Sequence, residues 1–558
     1  MYPGYRADIS NLVASLKPTV VVPPATPTPV PSESGSQPST SNIPRKTSAR
    51  LAAQRTLNKR PSAENDISQS SRGSKKQRTS DRRESSRDSK KQEVGAKPDD
   101  GMLQCASYAL ELLSHGGLRN HVIGAYVSGD TIQLLYYDRS IILVSDHFDF
   151  VEYPLRLVAI LEALAKFNER HWGYVYSPVP SARLEPEPPR HDQLLNGTKL
   201  RLKNNCVLTL KNTLHHQHGL IGRGTCVVQA ICKPALERPS GAWEDNLIVK
   251  FSWPSASRTP EPTIINNARD FARKDDTHNW VLNHLPEVLY TEDIDFNLLS
   301  PELIDILGDK YEKRVLRVIV QEELFPITDC YTAPELAQAF REIFHCNSLV
   351  NLICVCLTFV LCFVAGYQWL VEHPRILHRD ISLNNLMLRR KNGKTYGILN
   401  DFDLAVFEGQ ERSLSKQRTG TRPYMAIDLL EKKAPKHRYR HDLESMVYVF
   451  LWITSGYEDG EEIENAPLKG WFDLGDEAMA KEKTFFIVHE TPQLTKAYEP
   501  LTIWANMMRE MILDGYSQKS KYRSRNAKRS PENPFDDATL GGFISFPKFK
   551  EILDTDID

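Results

Sequence analysis

The sequence has no C-x-x-C pair, no start that joins a basic cluster to an apolar run, and almost no net charge. Its nine cysteines are scattered, and an odd, unpatterned set argues against a disulfide framework and for a reducing compartment. Met1 to Leu16 mixes Arg6, Asp8 and Asn11 among its apolar residues, which is unlike a secretory signal. A formal net charge of -1 gives no global case for binding nucleic acid or a membrane surface. Any such interaction would rest on local basic patches, which occur near the N-terminus and around residues 517–529.

Aromatic and bulky aliphatic residues are also nearly missing from Pro18 to Pro98, where Pro, Ser, Thr, Lys and Arg dominate. Such a segment buries too little surface to offset the entropy of ordering, so residues 1–100 are expected to be a disordered tail. Lys59-Arg60 and the cluster Lys75-Lys76-Gln77-Arg78 resemble a bipartite nuclear-import signal. A solvated linker is the alternative. The expected location is intracellular, in nucleus or cytoplasm.

With 558 residues and 41% hydrophobic composition, the chain can form one large domain with additional segments. Order is expected from Leu103, because Leu103, Tyr108, Ala109, Leu112 and Leu113 recur at helical spacing. Thr131–Tyr137 and Ser140–Val144 read as strands, giving a small α+β subdomain over 101–190. Pro178, Pro180, Pro186, Pro188 and Pro189 then mark a linker before a strand over Lys199–Leu210.

The chemistry-bearing residues follow. Leu220-Ile221-Gly222-Arg223-Gly224-Thr225 offers two glycines where a tight turn can aim amides at phosphate oxygens, although an ordinary hairpin has the same pattern. Asn246-Leu247-Ile248-Val249-Lys250 is an apolar strand ending in a lysine suited to the α- and β-phosphates of a nucleotide. Such a lysine needs a carboxylate to hold it. Glu261, at the start of an apparent helix, is the first candidate and Asp270 the rival.

His378-Arg379-Asp380 through Asn385 satisfies H-R-D-x-x-x-x-N. Asp380 would take or orient a substrate hydroxyl proton, and Asn385 would reach a metal ion from the other end of the loop. Asp401 follows the apolar run Ile398-Leu399, as a magnesium-holding carboxylate should. Downstream, Gly420-Thr421-Arg422-Pro423-Tyr424-Met425-Ala426-Ile427-Asp428 resembles the end of an activation segment. Asp442 opens a long apolar helix from which it would hold the catalytic loop.

Taken together, the chain resembles the fungal-type protein kinase family from about residue 100 to its end. The marks are Tyr137-Asp138-Arg139-Ser140, Lys250-x-Ser252-Trp253-Pro254, His284-Leu285-Pro286, His378-Arg379-Asp380-Ile381-Ser382, Asp401-Phe402-Asp403-Leu404-Ala405, Arg418-Thr419-Gly420-Thr421 and His441-Asp442-Leu443-Glu444-Ser445. The resemblance implies an α+β, two-lobed protein kinase-like fold. A small β-rich N-terminal lobe would span 195–325 and a mainly helical C-terminal lobe 326–558. It implies ATP and Mg2+, with Gly222, Gly224, Lys250 and Glu261 on the nucleotide and Asn385 and Asp401 on the metal. Asp380, with Arg379 and Asn385 beside it, would serve transfer of the γ-phosphate to a serine or threonine hydroxyl of a protein substrate. Arg379 would pair with a phosphorylated Ser413, Ser415 or Thr419, or with a local carboxylate.

Two positions depart from ordinary protein kinases. Ser382 replaces a lysine that neutralises the transferring phosphate, and Asp403 replaces a glycine. Serine brings no charge, so another cation must help if turnover is fast. A catalytically weak or silent scaffold therefore stays open, as does a small-molecule kinase of the aminoglycoside phosphotransferase type, which also carries Asp-x-Asp.

Leu349 to Val364 is almost wholly apolar. Its length approaches a membrane span, yet a span would interrupt a helix that packs inside the C-terminal lobe, so no membrane is expected. A buried core helix is the second reading. The third is a retained intron over 347–366, because Cys346 joined to Tyr367 gives a helix of ordinary family length.

Overall fold

The structure is a computed structural model that describes residues 19–21, 100–115, 118–175, 195–203, 206–233, 236–238, 241–243, 247–295, 299–341, 363–391, 394–410, 420–526 and 534–557. The basic clusters at 59–60 and 75–78 lie outside the described residues, as do 342–362 and the serines and threonine of 411–419.

A six-stranded antiparallel sheet runs in the order Val288–Ile294, Leu316–Glu322, Leu247–Ser252, Cys226–Lys233, Val207–His216, Lys199–Arg201. The lysine strand Leu247–Ser252 is buried at every residue, as its continuous apolar run requires of a strand covered on both faces. The single strand expected over Lys199–Leu210 is instead two paired strands, with Leu200 opposite Leu208. Leu200, Leu202, Leu208 and Leu210 all enter one core, and their even spacing, which one straight strand would also put on one face, hides the hairpin.

Beneath the sheet, helix Glu261–Arg273 has proline in its first turn, Glu261 at its positive end and Arg273 at its negative end, each placement favourable to the helix dipole. Its Ile264, Ile265, Ala268 and Ala272 enter the same core as helix Tyr439–Gly456. That second helix is buried around its whole circumference and forms the centre of a mainly helical body with Asp476–His489, Thr502–Arg525 and Phe546–Leu553. The connection between sheet and helical body is pinned by Arg389, which donates to Glu322 at 2.9 Å and to the carbonyls of Asn283 and Leu285 at 2.6 and 2.9 Å. His284 adds a bond to the Gly397 carbonyl at 2.9 Å.

Helix Asp100–His115 packs on the meander His121–Ser128, Thr131–Asp138 and Ile142–Val144. Thr19–Val21 adds an antiparallel edge strand to Ile142–Val144; a run of valines suits that place. The core of this unit joins Ala109, Leu113, Val122, Leu135 and Tyr137, and it also takes Leu220 and Ile221 from the glycine turn. Among the described residues no helix is long and apolar enough to cross a membrane. The chain re-enters the described structure as helix Phe363–Glu372, whose first four residues belong to the apolar insertion.

Candidate active site

The lysine finds its carboxylates. Lys250 Nζ lies 2.7 Å from Glu261 Oε2, 2.8 Å from Asp401 Oδ1 and 3.3 Å from Asp403 Oδ2. Glu261 Oε1 accepts the Phe402 amide at 3.0 Å, so one carboxylate fastens the helix to both the lysine and the metal-aspartate turn. Asp270 is exposed and pairs with Arg273 at 2.8 Å, which removes it as the rival. Asp401 adopts a left-handed backbone, φ 59°, and its side chain accepts from the Asp403 amide at 3.4 Å.

The floor of the site is the catalytic loop. Asp442 accepts the amides of His378 and Arg379 at 3.1 Å each, the Tyr367 hydroxyl at 2.5 Å and a His437 Nε2 contact at 2.7 Å. These bonds hold Arg379 in a left-handed backbone of φ 71°. The His378 ring meets the Asn400 carbonyl at 2.9 Å and packs edge-on to Phe402 at 4.9 Å. Asn385 Nδ2 donates to the Asp380 carbonyl at 2.8 Å, closing the loop. Asp380 Oδ1 accepts both the amide and the hydroxyl of Thr421 at 2.9 Å. Asp428, at the end of the same segment, pairs with cations: Arg440 at 2.6 Å and Lys519 at 3.3 Å.

The roof is the glycine turn. Gly222 and Gly224 have φ of 129° and 52°, and a Cβ on Gly224 would stand 2.5 Å from the Arg139 guanidinium, so glycine is required at both. The Gly222 amide donates to the Arg139 carbonyl at 2.9 Å, and the Trp253 amide donates to the Arg223 carbonyl at 2.7 Å. Arg139 itself is buried, donates to the carbonyls of Gly219 and Leu113 at 2.8 and 2.7 Å, and lies 5.0 Å from the Trp253 ring centre. With the backbone held from two sides, the Arg223 side chain reaches into the site and pairs with Asp403 Oδ2 at 3.1 Å.

Residues 64–282 and 311–454 match the family described as fungal protein kinase. The chain belongs to that family. No match is found among curated proteins. The match begins earlier and ends earlier than the resemblance in the sequence suggests, and His284-Leu285-Pro286 falls between its two segments.

In this fungal protein kinase family member the site is electrostatically polarised. Burial would raise Asp401, but the Lys250 ammonium and the Arg223 guanidinium outweigh it and hold the carboxyl well below its ordinary range. Burial pushes Glu261 up to about 7 against the pull of Lys250. Burial also raises Asp380, with Arg223 the largest opposing influence and Asp401 adding to the rise. Side-chain exposure separates the group further: Asp401 and Arg223 are 24% and 25% exposed, while Lys250, Glu261 and Asp403 are at 7% or less. Asp401 and Arg223 are therefore the most exposed members of the group.

The sequence brought Lys250, Glu261, Asp380, Asn385 and Asp401 into view individually. It did not flag Arg223 or assign any chemistry to Arg139. The signal for Arg223 was compositional: an arginine in the turn, and an extra aspartate at 403 that needs a cation.

Proposed function

We propose that the chain is a protein serine/threonine kinase of two lobes, with the sheet over 195–325 as the smaller lobe and the helical body over 326–558 as the larger. Residues 101–190 are an accessory α+β unit. The observation that carries this reading is the Lys250–Glu261 pair at 2.7 Å beside Asp401 at 2.8 Å, the closed arrangement a phosphotransferase needs before it can act.

Oxygens of Glu261, Asp401 and Asp403 come within 4.8 Å of one another, and such hard donors suit magnesium. Asp401 and the Asn385 amide would hold the ion, which when bound neutralises phosphate charge. Gly222 and Gly224 shape the roof over the nucleotide, and Lys250 meets its α- and β-phosphates. The substrate hydroxyl oxygen bonds to the γ-phosphorus, the bond to the β–γ bridging oxygen breaks, ADP leaves, and the hydroxyl proton passes to Asp380.

The Thr421 hydroxyl on Asp380, at 2.9 Å, supports a serine or threonine of a protein as acceptor, since it ties the segment that would receive a polypeptide to the base. The test is ATP-dependent labelling by the purified chain lacking residues 347–366, compared with Asp380→Asn. A ~10²–10⁴-fold loss in the variant is expected for removal of a general base. Equal labelling by both proteins would defeat the assignment. Offering peptides beside sugars and amino-alcohols separates this reading from the small-molecule kinase, and labelling of neither leaves the scaffold.

A further inference from the structure

The catalytic loop carries serine at 382 where a cation would serve the transferring phosphate, and the metal turn carries an aspartate at 403 where a small uncharged residue would do. Taken alone, each change makes the site more negative. Four carboxylates, Glu261, Asp380, Asp401 and Asp403, then surround a place that must accept a polyanion, and Lys250 already serves Glu261 and Asp401. Arg223 stands against this excess. It pairs with Asp403 at 3.1 Å, and it feels the fields of Asp401, Asp380 and Glu261 as well. No other part of the turn contributes charge there: its backbone is fixed by Gly222 on Arg139 and by Trp253 on the Arg223 carbonyl, at 2.9 and 2.7 Å.

We infer that Arg223 is a catalytic residue whose guanidinium moves from Asp403 to the γ-phosphate of bound nucleotide and supplies the charge that Ser382 does not. The inference rests on the phosphotransferase reading above. Three features carry it. Arg223 is 25% exposed while its partner Asp403 is 2% exposed, so the arginine is the reachable half of the pair. A guanidinium is permanently charged and presents a planar fork that matches phosphate oxygens. The anchored backbone on both sides leaves only side-chain torsions to change, so the movement needs no remodelling of the loop. Asp403 is then a positioning residue: it holds the guanidinium beside the site when no phosphate is there. This also accounts for the two departures together, because an arginine that served phosphate would repel Lys250 in the empty site without a buried carboxylate between them.

The test compares Mg·ATP with Mg·ADP binding by calorimetry, because only ATP has the γ-phosphate, and reads turnover separately. In Arg223→Ala, ATP is expected to lose ~10-fold or more in affinity while ADP changes by no more than ~2-fold, and kcat to fall ~10²–10³-fold, the range for losing one aimed charge. Adding Ser382→Lys to Arg223→Ala should restore at least ~10-fold of the lost turnover, as a second source of the same charge. Asp403→Asn should keep the preference for ATP over ADP.

Equal loss of ATP and ADP in Arg223→Ala, or loss of the preference in Asp403→Asn as well, would reduce the pair to a loop latch and overturn the inference. Undiminished turnover in Arg223→Ala would overturn it too, while leaving the kinase reading intact. An Arg223-dependent preference for ATP in a native chain that transfers nothing would do the reverse: the contact stands and the proposed activity falls.

Discussion

The floor and the roof of the site are held by different kinds of bond. Under the floor, one carboxylate, Asp442, gathers the amides of His378 and Arg379, the Tyr367 hydroxyl and His437. Over the roof, one guanidinium, Arg139, grips two carbonyls, and its own carbonyl takes the Gly222 amide. The floor is a buried acceptor surrounded by donors; the roof is a buried donor surrounded by acceptors. The floor's anchor comes from a helix within the helical body, whereas the roof's anchor comes from the unit of residues 100–149, eighty or more positions away in sequence from the turn it holds. The catalytic loop is thus fixed by the domain's own core. The glycine turn instead depends on a unit outside both the six-stranded sheet and the helical body.

Breaking the floor should have the larger effect. Asp442→Asn keeps the shape but turns an NH2 group toward amide donors, so roughly 3 kcal/mol of stability should be lost, as for a buried hydrogen-bonded charge. A loop displaced by even ~1 Å should also cost ~10²-fold in turnover. Chemical denaturation and steady-state kinetics measure the two losses. Burial would raise Asp442, but His437 and the bonds it accepts bring it down to about 2 from an ordinary value of 3.8. A depressed carboxyl contributes stability above its unfolded pKa and loses it as pH falls through the folded one. The native chain should therefore lose this contribution between pH 3.8 and about 2, and Asp442→Asn should show a shallower acid-unfolding curve in that window.

Breaking the roof should be milder and of another kind. Arg139→Met keeps the apolar stem but leaves the Gly219 and Leu113 carbonyls without a donor, at a cost of about 1–3 kcal/mol. Because the turn, not the base, is released, the expected signature is a ~10-fold rise in KM for ATP with kcat reduced by less than that. A fall in kcat as large as that of Asp442→Asn, with KM unchanged, would erase the distinction between the two anchors.

The same contrast decides what could be read from the sequence. His378-Arg379-Asp380, Asn385, Asp401 and Lys250 were legible because their chemistry fixes both residue type and local spacing, and the helix from Asp442 and the strand before Lys250 carry plain apolar patterns. Glu261 was legible as a helix start. Arg139 was legible only as part of a recurring string, since its role depends on a turn far along the chain, and no periodicity links residues that distant. Arg223 lay unread inside a glycine pattern. Its meaning emerges once folding brings Asp403 within 3.1 Å. The hairpin within 199–210 was hidden for a related reason: four leucines at even spacing read as one strand until the pairing of Leu200 with Leu208 is known.

The smallest effect should come from Asp270→Ala, and it sharpens the comparison because Asp270 lies on the helix that links roof strand to floor. Glu261 touches both, through Lys250 at 2.7 Å and the Phe402 amide at 3.0 Å. Asp270 touches neither and forms an exposed pair with Arg273 one turn on. Such a pair is worth about 0.2–0.5 kcal/mol, and turnover should stay within ~2-fold of the native chain, since no bond to the site is altered. A larger loss of activity in Asp270→Ala would mean that the helix transmits strain along its length to Glu261. Position 270 would then matter to the site through the helix and not through any contact of its own.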